Sequence, residues 1–178
     1  MSRRRPARPT DRPALRRLQS HLPEPAPALL DHGIRTGGVL VSVAGERPVG
    51  YLLAVGASFD PAGSAAATGT PDPLETPGLA RPPETDVPPE PSDARVTGGR
   101  RPDGAHLAEL VVAPDHRREG RASELLDGLI AATDGPVTVA VAPENEAALS
   151  LYRGRGFERV ERREDYFASG PALWLVRR

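Results

Sequence analysis

Apolar residues recur with a helical period in some stretches of the chain and alternate as they do in strands in others. In "RASELLDGLIAAT", Ala122, Leu125, Leu126, Leu129 and Ile130 fall at the i, i+3, i+4, i+7 and i+8 positions of one helical face. "PTDRPALRRLQSHL" places Leu15, Leu18 and Leu22 at helical spacing, with Thr10 or Asp11 as N-cap and Pro13 in the first turn. "PAPALLDHGI" reads as a second short helix ending at Gly33, and both N-terminal helices are candidates for a lid. "GGVLVSVAGERPVGYLLAVGA" reads as a hairpin turning at Ala44 to Arg47, with Val39, Val41 and Val43 on one face. Further on, "AHLAELVVA" is strand-like, and "PVTVAVA" alternates Val137, Val139 and Val141 with small residues.

"NEAALSLYRGRGF" supplies an N-cap at Asn145, an apolar face of Ala148, Leu151 and Tyr152, and a glycine stop at Gly154 or Gly156. The tail "FERVERREDYFASGPALWLVRR" reads as two strands turning near Ser169-Gly170. Strands and helices in alternation predict an α/β or α+β sheet domain. Residues 58 to 104 break this pattern. Pro, Gly, Thr, Asp and Glu crowd that segment, its prolines obstruct helix and ladder alike, and it predicts a disordered surface insertion in one domain spanning residues 1–178.

Composition changes the picture in three ways. There is no cysteine, which removes disulfides, thiolate metal sites and cysteine nucleophiles, and suits a cytoplasmic protein. All 23 Lys+Arg residues are arginine, yet the net charge is -1, so no global field attracts nucleic acid. No run approaches the roughly 20 apolar residues of a membrane helix. No nucleic-acid, membrane or metal partner is therefore expected, and the expected assembly is a monomer or homodimer.

The chemistry concentrates where "AELVVA" turns through "PDHRREG" into the helix at Arg121. A strand feeding a glycine turn into a helix start exposes unpaired N–H groups at the positive end of the helix dipole. Arg117, Arg118 and Arg121 add cationic donors suited to phosphate. The alternative is a plain turn with solvated arginines. Neither a Walker loop nor a dinucleotide fingerprint is present.

Arg117-x-x-Gly120-x-Ala122 after "VVAP" resembles the acetyl-CoA pyrophosphate loop (R/Q-x-x-G-x-G/A) of the GNAT N-acetyltransferase superfamily. "NEAALSLYRGRGF" resembles that family's later helix, where Asn and Tyr accompany the cofactor and the helix closes before "GF". The resemblance covers Gly38 to Arg178 outside the insertion, and the earlier residues more loosely. It implies the acyl-CoA N-acyltransferase fold, a splayed mixed sheet flanked by helices, with acetyl-CoA between strands at Leu107 to Ala113 and Val137 to Ala142. It implies cofactor contacts from Leu110, Val111 and Val112, from Arg117, Arg118, Glu119, Gly120, Arg121, Ala122 and Ser123, and from Asn145.

Acetyl transfer to an amine needs a base, a polarised carbonyl and a proton donor. By the resemblance, backbone N–H groups near Val111 and Val112 face the carbonyl, and Tyr152 is the general acid; core packing is its other possible role. For the base, the glutamate found on one strand of the ribosomal-protein alanine acetyltransferases is replaced here by Ala140. Glu109 and His106 remain, although Glu109 lies in an apolar run and a partner arginine would explain it structurally. His116 is expected to be exposed. The tail "ERREDYFASG" resembles the "R-R-x-Y-Y" hairpin of the RimI-like protein N-terminal acetyltransferases, which puts Tyr166 and Phe167 in a peptide slot, or else in hairpin packing with Trp174. The implied function is an acetyl-CoA-dependent N-acetyltransferase working by direct transfer in a ternary complex, with a protein N-terminal α-amine as acceptor. A small-amine acetyltransferase and a non-catalytic acyl-CoA-binding regulator are the alternatives.

Overall fold

The computed structural model describes residues 3–59 and 104–178, so most of the expected insertion, from residue 60 to residue 103, lies outside the described residues. Its first residues are seated. Phe59 donates its backbone N–H to Gly37 O at 2.8 Å and packs on the core.

A seven-stranded sheet in the order β1-β2-β3-β4-β5-β7-β6 forms the centre. Its strands are β1 (Arg3–Pro6), β2 (Val39–Ala44), β3 (Arg47–Val55), β4 (Ala105–Val112), β5 (Val137–Val141), β6 (Glu158–Phe167) and β7 (Gly170–Arg177). The helices are α1 (Arg12–Gln19), α2 (Pro27–Thr36), α3 (Arg121–Ala131) and α4 (Glu146–Arg153). All neighbouring strands pair antiparallel except β4 and β5, which are parallel. None of the described helices is long and apolar enough to cross a membrane.

Strand alternation divides the core between the two faces. Val39, Val41, Val43, Tyr51 and Leu53 pack beneath α1 and α2 with Leu15, Leu18, Leu30 and Ile34. Leu40, Leu52 and Ala54 point the other way, onto Leu125, Leu126 and Leu129 of α3 and toward Leu149 and Tyr152 of α4. Because Leu15 and Leu30 are fully buried, α1 and α2 are a structural layer rather than a lid.

Three local expectations change. The second helix runs through Gly33 to Thr36 and is stopped by the left-handed Gly37. Gly33 is there for space, since a Cβ would collide with Leu53 and touch Val39. Asp11 occupies the N-cap position of α1 but makes no cap bond to it. Its carboxyl instead accepts from Arg5 at 2.6 and 2.9 Å and from Arg8 N at 2.7 Å. That ties down β1, an edge strand that "RRRP" does not announce, because its arginines carry no apolar alternation and only the ladder to β2 defines it. α4 buries Leu149 and Tyr152 while Ala148 and Leu151 stay half-buried, and Asn145 caps it by accepting from Ala148 N at 3.1 Å.

Candidate active site

β4 and β5 pair only through Ala105↔Val137, His106↔Thr138 and Leu107↔Val139. Beyond Leu107, β4 continues to Val112 and keeps its ladder with β3. The backbone polar groups of its outer half that face β5 are thus left without a strand partner and are open to a ligand. These are the residues Leu110, Val111 and Val112 expected to meet the cofactor. The register slips between Leu53 and Ala54, leaving Ala108 opposite no residue of β3. Such a bulge bends the strand and inverts its alternation. Leu107 faces the α3 side, while Ala108 and Val111 pack under α1 and α2.

The bulge therefore sends Glu109 into the α1 side, where it is 6% exposed. Gln19 Nε2 donates to both carboxyl oxygens at 3.0 and 3.1 Å, Ala26 N donates at 2.9 Å, and Tyr51 Oη donates at 2.6 Å. These partners take the place of the expected arginine. Burial, reinforced by Glu109, pushes the Tyr51 hydroxyl far above the usual tyrosine range, so Tyr51 stays a donor.

His106 has different surroundings. Its Nδ1 lies 2.9 Å from Thr138 Oγ1, whose own proton points to Ala105 O at 3.4 Å. The hydroxyl oxygen then accepts from Nδ1–H, which leaves the lone pair on Nε2. The ring stacks on Trp174 with centroids 5.1 Å apart, and burial pushes the imidazole below its usual 6.5. Arg163 lies over the same tryptophan at 4.3 Å, and Tyr166 meets it edge-on at 5.7 Å. Phe167 packs against Tyr166 at 5.0 Å. Across from this hairpin, Glu24 in the α1–α2 connection accepts from Ser169 N at 3.2 Å, bridging the two segments. Ala140 pairs with Trp174 across the ladder.

Trp174, Thr138, Tyr51 and Gln19 thus join the site without having been singled out for it. The alternation Leu173-Trp174-Leu175 was a signal for the tryptophan, because both leucines enter the α3-side core. Nothing in the sequence pointed to Gln19.

Tyr152 is 4% exposed, with its ring 5.4 Å from Phe157. Burial holds its hydroxyl above the ordinary tyrosine range. Tyr152 belongs to the α3-side core, whereas His106 and Tyr166 meet on Trp174, which alternates away from the Leu173 and Leu175 of that core.

At the outer end of β4, the chain passes through a short 3-10 turn, Pro114–His116, into the arginine loop. Arg118 and Gly120 have positive φ, 61° and 80°. Gly120 is the N-cap of α3 and offers no side-chain cap, so the first amides of the helix, at Arg121, Ala122 and Ser123, remain available as donors. A Cβ built on Gly120 meets nothing within 4 Å, so the loop is open above it. Arg118 has no ion pair or hydrogen bond among the described residues, whereas Arg117 Nε turns back to Val112 O at 3.2 Å. Arg121 is buried: its Nη1 donates to Ser42 Oγ at 3.0 Å and Val43 O at 3.2 Å, and its Nε to Glu119 at 2.7 Å. Arg121 therefore anchors the helix start to β2, and beside Glu119 it offsets an acid that would repel phosphate, holding that carboxyl below the usual range. His116, expected to be exposed, is half-buried, with Nδ1 3.4 Å from Glu119.

A mixed sheet parted between two parallel strands, with a glycine-turned and uncapped helix start beyond the gap, defines the acyl-CoA N-acyltransferase fold. The chain belongs to the GNAT acetyltransferase family, whose sequence profile, Acetyltransferase (GNAT) family, matches residues 12–157. That family takes its acetyl group from acetyl-CoA, and the open loop at Gly120 fits a pyrophosphate.

Among solved structures, the ribosomal-protein alanine N-acetyltransferase of Escherichia coli is 16% identical, with TM-score 0.64 and 99% of this chain and 93% of that chain covered. Arabidopsis thaliana NAA60 in complex with acetyl-CoA is 17% identical, with TM-score 0.67 and 99% and 98% covered. A further Arabidopsis thaliana protein, solved with the bisubstrate analogue CoA-Ac-MVNAL, is 13% identical, with TM-score 0.67 and 99% and 98% covered. In sequence, 71 residues are 39% identical to an uncharacterized protein of Mycobacterium leprae (strain TN), covering 39% of this chain and 20% of that protein. The match thus spans about a fifth of that relative's length.

Proposed function

We propose that the protein acetylates a primary amine by direct transfer from acetyl-CoA in a ternary complex, and that its acceptor is the α-amine of a protein N-terminus. The observation that carries this reading is the parting of β4 from β5 after Leu107↔Val139. It opens a gap whose two sides carry different groups, so that donor and acceptor have separate approaches to one point.

Acetyl-CoA, when bound, supplies a thioester-activated acetyl group. Arg118 and the amides of Gly120, Arg121, Ala122 and Ser123 hold its pyrophosphate, and the backbone groups of Leu110 to Val112 that lack a β5 partner orient the reacting end. Tyr152 Oη keeps its proton across the neutral range and is the acid. His106 Nε2 is the base, reached directly or through one water, and its lowered pKa keeps it unprotonated at neutral pH. Glu109 is the weaker base candidate, because four donor contacts already occupy its oxygens. The same contacts make it a positioning residue that fixes α1 and the α1–α2 connection.

A peptidic acceptor is supported by the Tyr166–Phe167 hairpin, whose Tyr166 packs on Trp174 beside His106 and which is tied to the α1–α2 connection through Glu24. One structural relative was solved with the bisubstrate analogue CoA-Ac-MVNAL, which agrees with a peptidic acceptor. The test offers acetyl-CoA with a panel of N-terminal peptides and a panel of amino acids, polyamines and aminoglycosides, and measures CoA release. We expect release with peptides and a mass increase at their α-amine; release with the amine panel alone overturns the acceptor assignment. Tyr152→Phe should reduce kcat about a thousandfold while retaining acetyl-CoA binding, and undiminished turnover would remove Tyr152 from the mechanism.

A further inference from the structure

A cavity of about 320 Å³ opens between α1, the start of β3 and the turn after β4. None of its lining residues belongs to the acetyl-CoA cradle or to the acceptor face. Leu18 and Val49 give it buried apolar wall. Arg17, from α1, and Arg47, from the first residue of β3, bring two guanidinium groups to it, and His21 adds an imidazole. The side chains of these three residues make no hydrogen bond or ion pair among the described residues. One position before Arg17 on the same helix, Arg16 is held by Asp31 at 2.6 Å, whereas Arg17 is left without such a partner. Against the two guanidiniums the lining sets one carboxyl, Asp115, which pairs with neither.

Guanidinium forks are suited to a carboxylate or phosphate, and an apolar wall favours a ligand with an apolar body. We propose that this cavity is a second ligand site, separate from the acetyl-CoA cradle, for a small anion bearing a carboxylate or a phosphate monoester on an apolar body. Arg17 and Arg47 grip the charge, and Leu18 and Val49 cover the body. The volume lies at the small end of ligand pockets, enough for a ring-sized body and one anionic group.

The test titrates benzoate and phenyl phosphate, in separate arms, into the full chain with and without saturating CoA, following backbone amide resonances. Each arm reads one anionic head group, and the CoA arm keeps the pyrophosphate cradle filled. Saturable shifts centred on Leu18, Val49 and Ala113, in either arm and with CoA present, are expected. The double variant Arg17→Gln/Arg47→Gln, whose side chains are exposed, should weaken the dissociation constant at least about tenfold. Absence of saturable shifts at about 10 mM, where a millimolar site is filled, overturns the proposal, as does an unchanged constant in the double variant. Should that variant fold poorly, the position of the shifts in the unaltered chain decides.

Discussion

Two groups on β4, three residues apart, have opposite environments. Glu109 lies in a closed knot, with Gln19, Ala26 N and Tyr51 filling its oxygens beneath α1. His106 stands half-buried on an aromatic shelf, with one nitrogen fixed by Thr138 and its face on Trp174. The bulge at Ala108 brings both onto the α1 side of the sheet, so their neighbours, and not the face, make the difference. A buried carboxyl with every lone pair answered serves the fold; a half-buried imidazole with one nitrogen fixed is equipped to exchange a proton.

That contrast is broken or sharpened by substitution. Glu109→Ala strands three buried donors and should cost about 3 kcal/mol of stability, read as a lower urea midpoint at unchanged slope. If it leaves stability intact and abolishes turnover, the roles of the two residues are reversed. His106→Ala should do the opposite, lowering kcat/KM about a hundredfold, or roughly 2.7 kcal/mol of barrier, with little loss of stability.

The pH profile sharpens the same point. Burial lowers the His106 pKa, so the unprotonated, active form is lost only as pH falls below 6.5. The acid limb of kcat/KM should lie under that value and vanish in His106→Ala; a limb that persists in the variant belongs to another group. The smallest effect is expected from Tyr51→Phe, which removes one bond to Glu109 and keeps Gln19 and Ala26 N. A loss of about 1.5 kcal/mol with kcat changed less than threefold would fit a purely positioning role.

Much of the fold was legible from period alone. Val39, Val41 and Val43 share a face as their alternation requires, and Leu125, Leu126 and Leu129 are fully buried on the stripe their spacing predicts. The arginine loop was legible because Gly120 sits where a positive φ and an open approach are both needed. The exceptions share a cause. Gly33 read as a stop but is a point of close contact with Leu53 from a strand, and "RRRP" carries no strand alternation but is an edge strand defined by its neighbour. Arg121 read as a phosphate donor, yet its guanidinium is buried against Ser42 and Val43, about eighty positions away.

The sequence by itself determined the elements, the family resemblance and the glycine turn into α3, because these rest on local period, backbone conformation and residues close together in the chain. Only the tertiary structure decided how the residues of β4 divide their work. A one-residue bulge sets which face Glu109 and His106 occupy, and the partners that lock the first and free the second come from Gln19, Tyr51, Thr138 and Trp174, which meet only when the sheet is assembled.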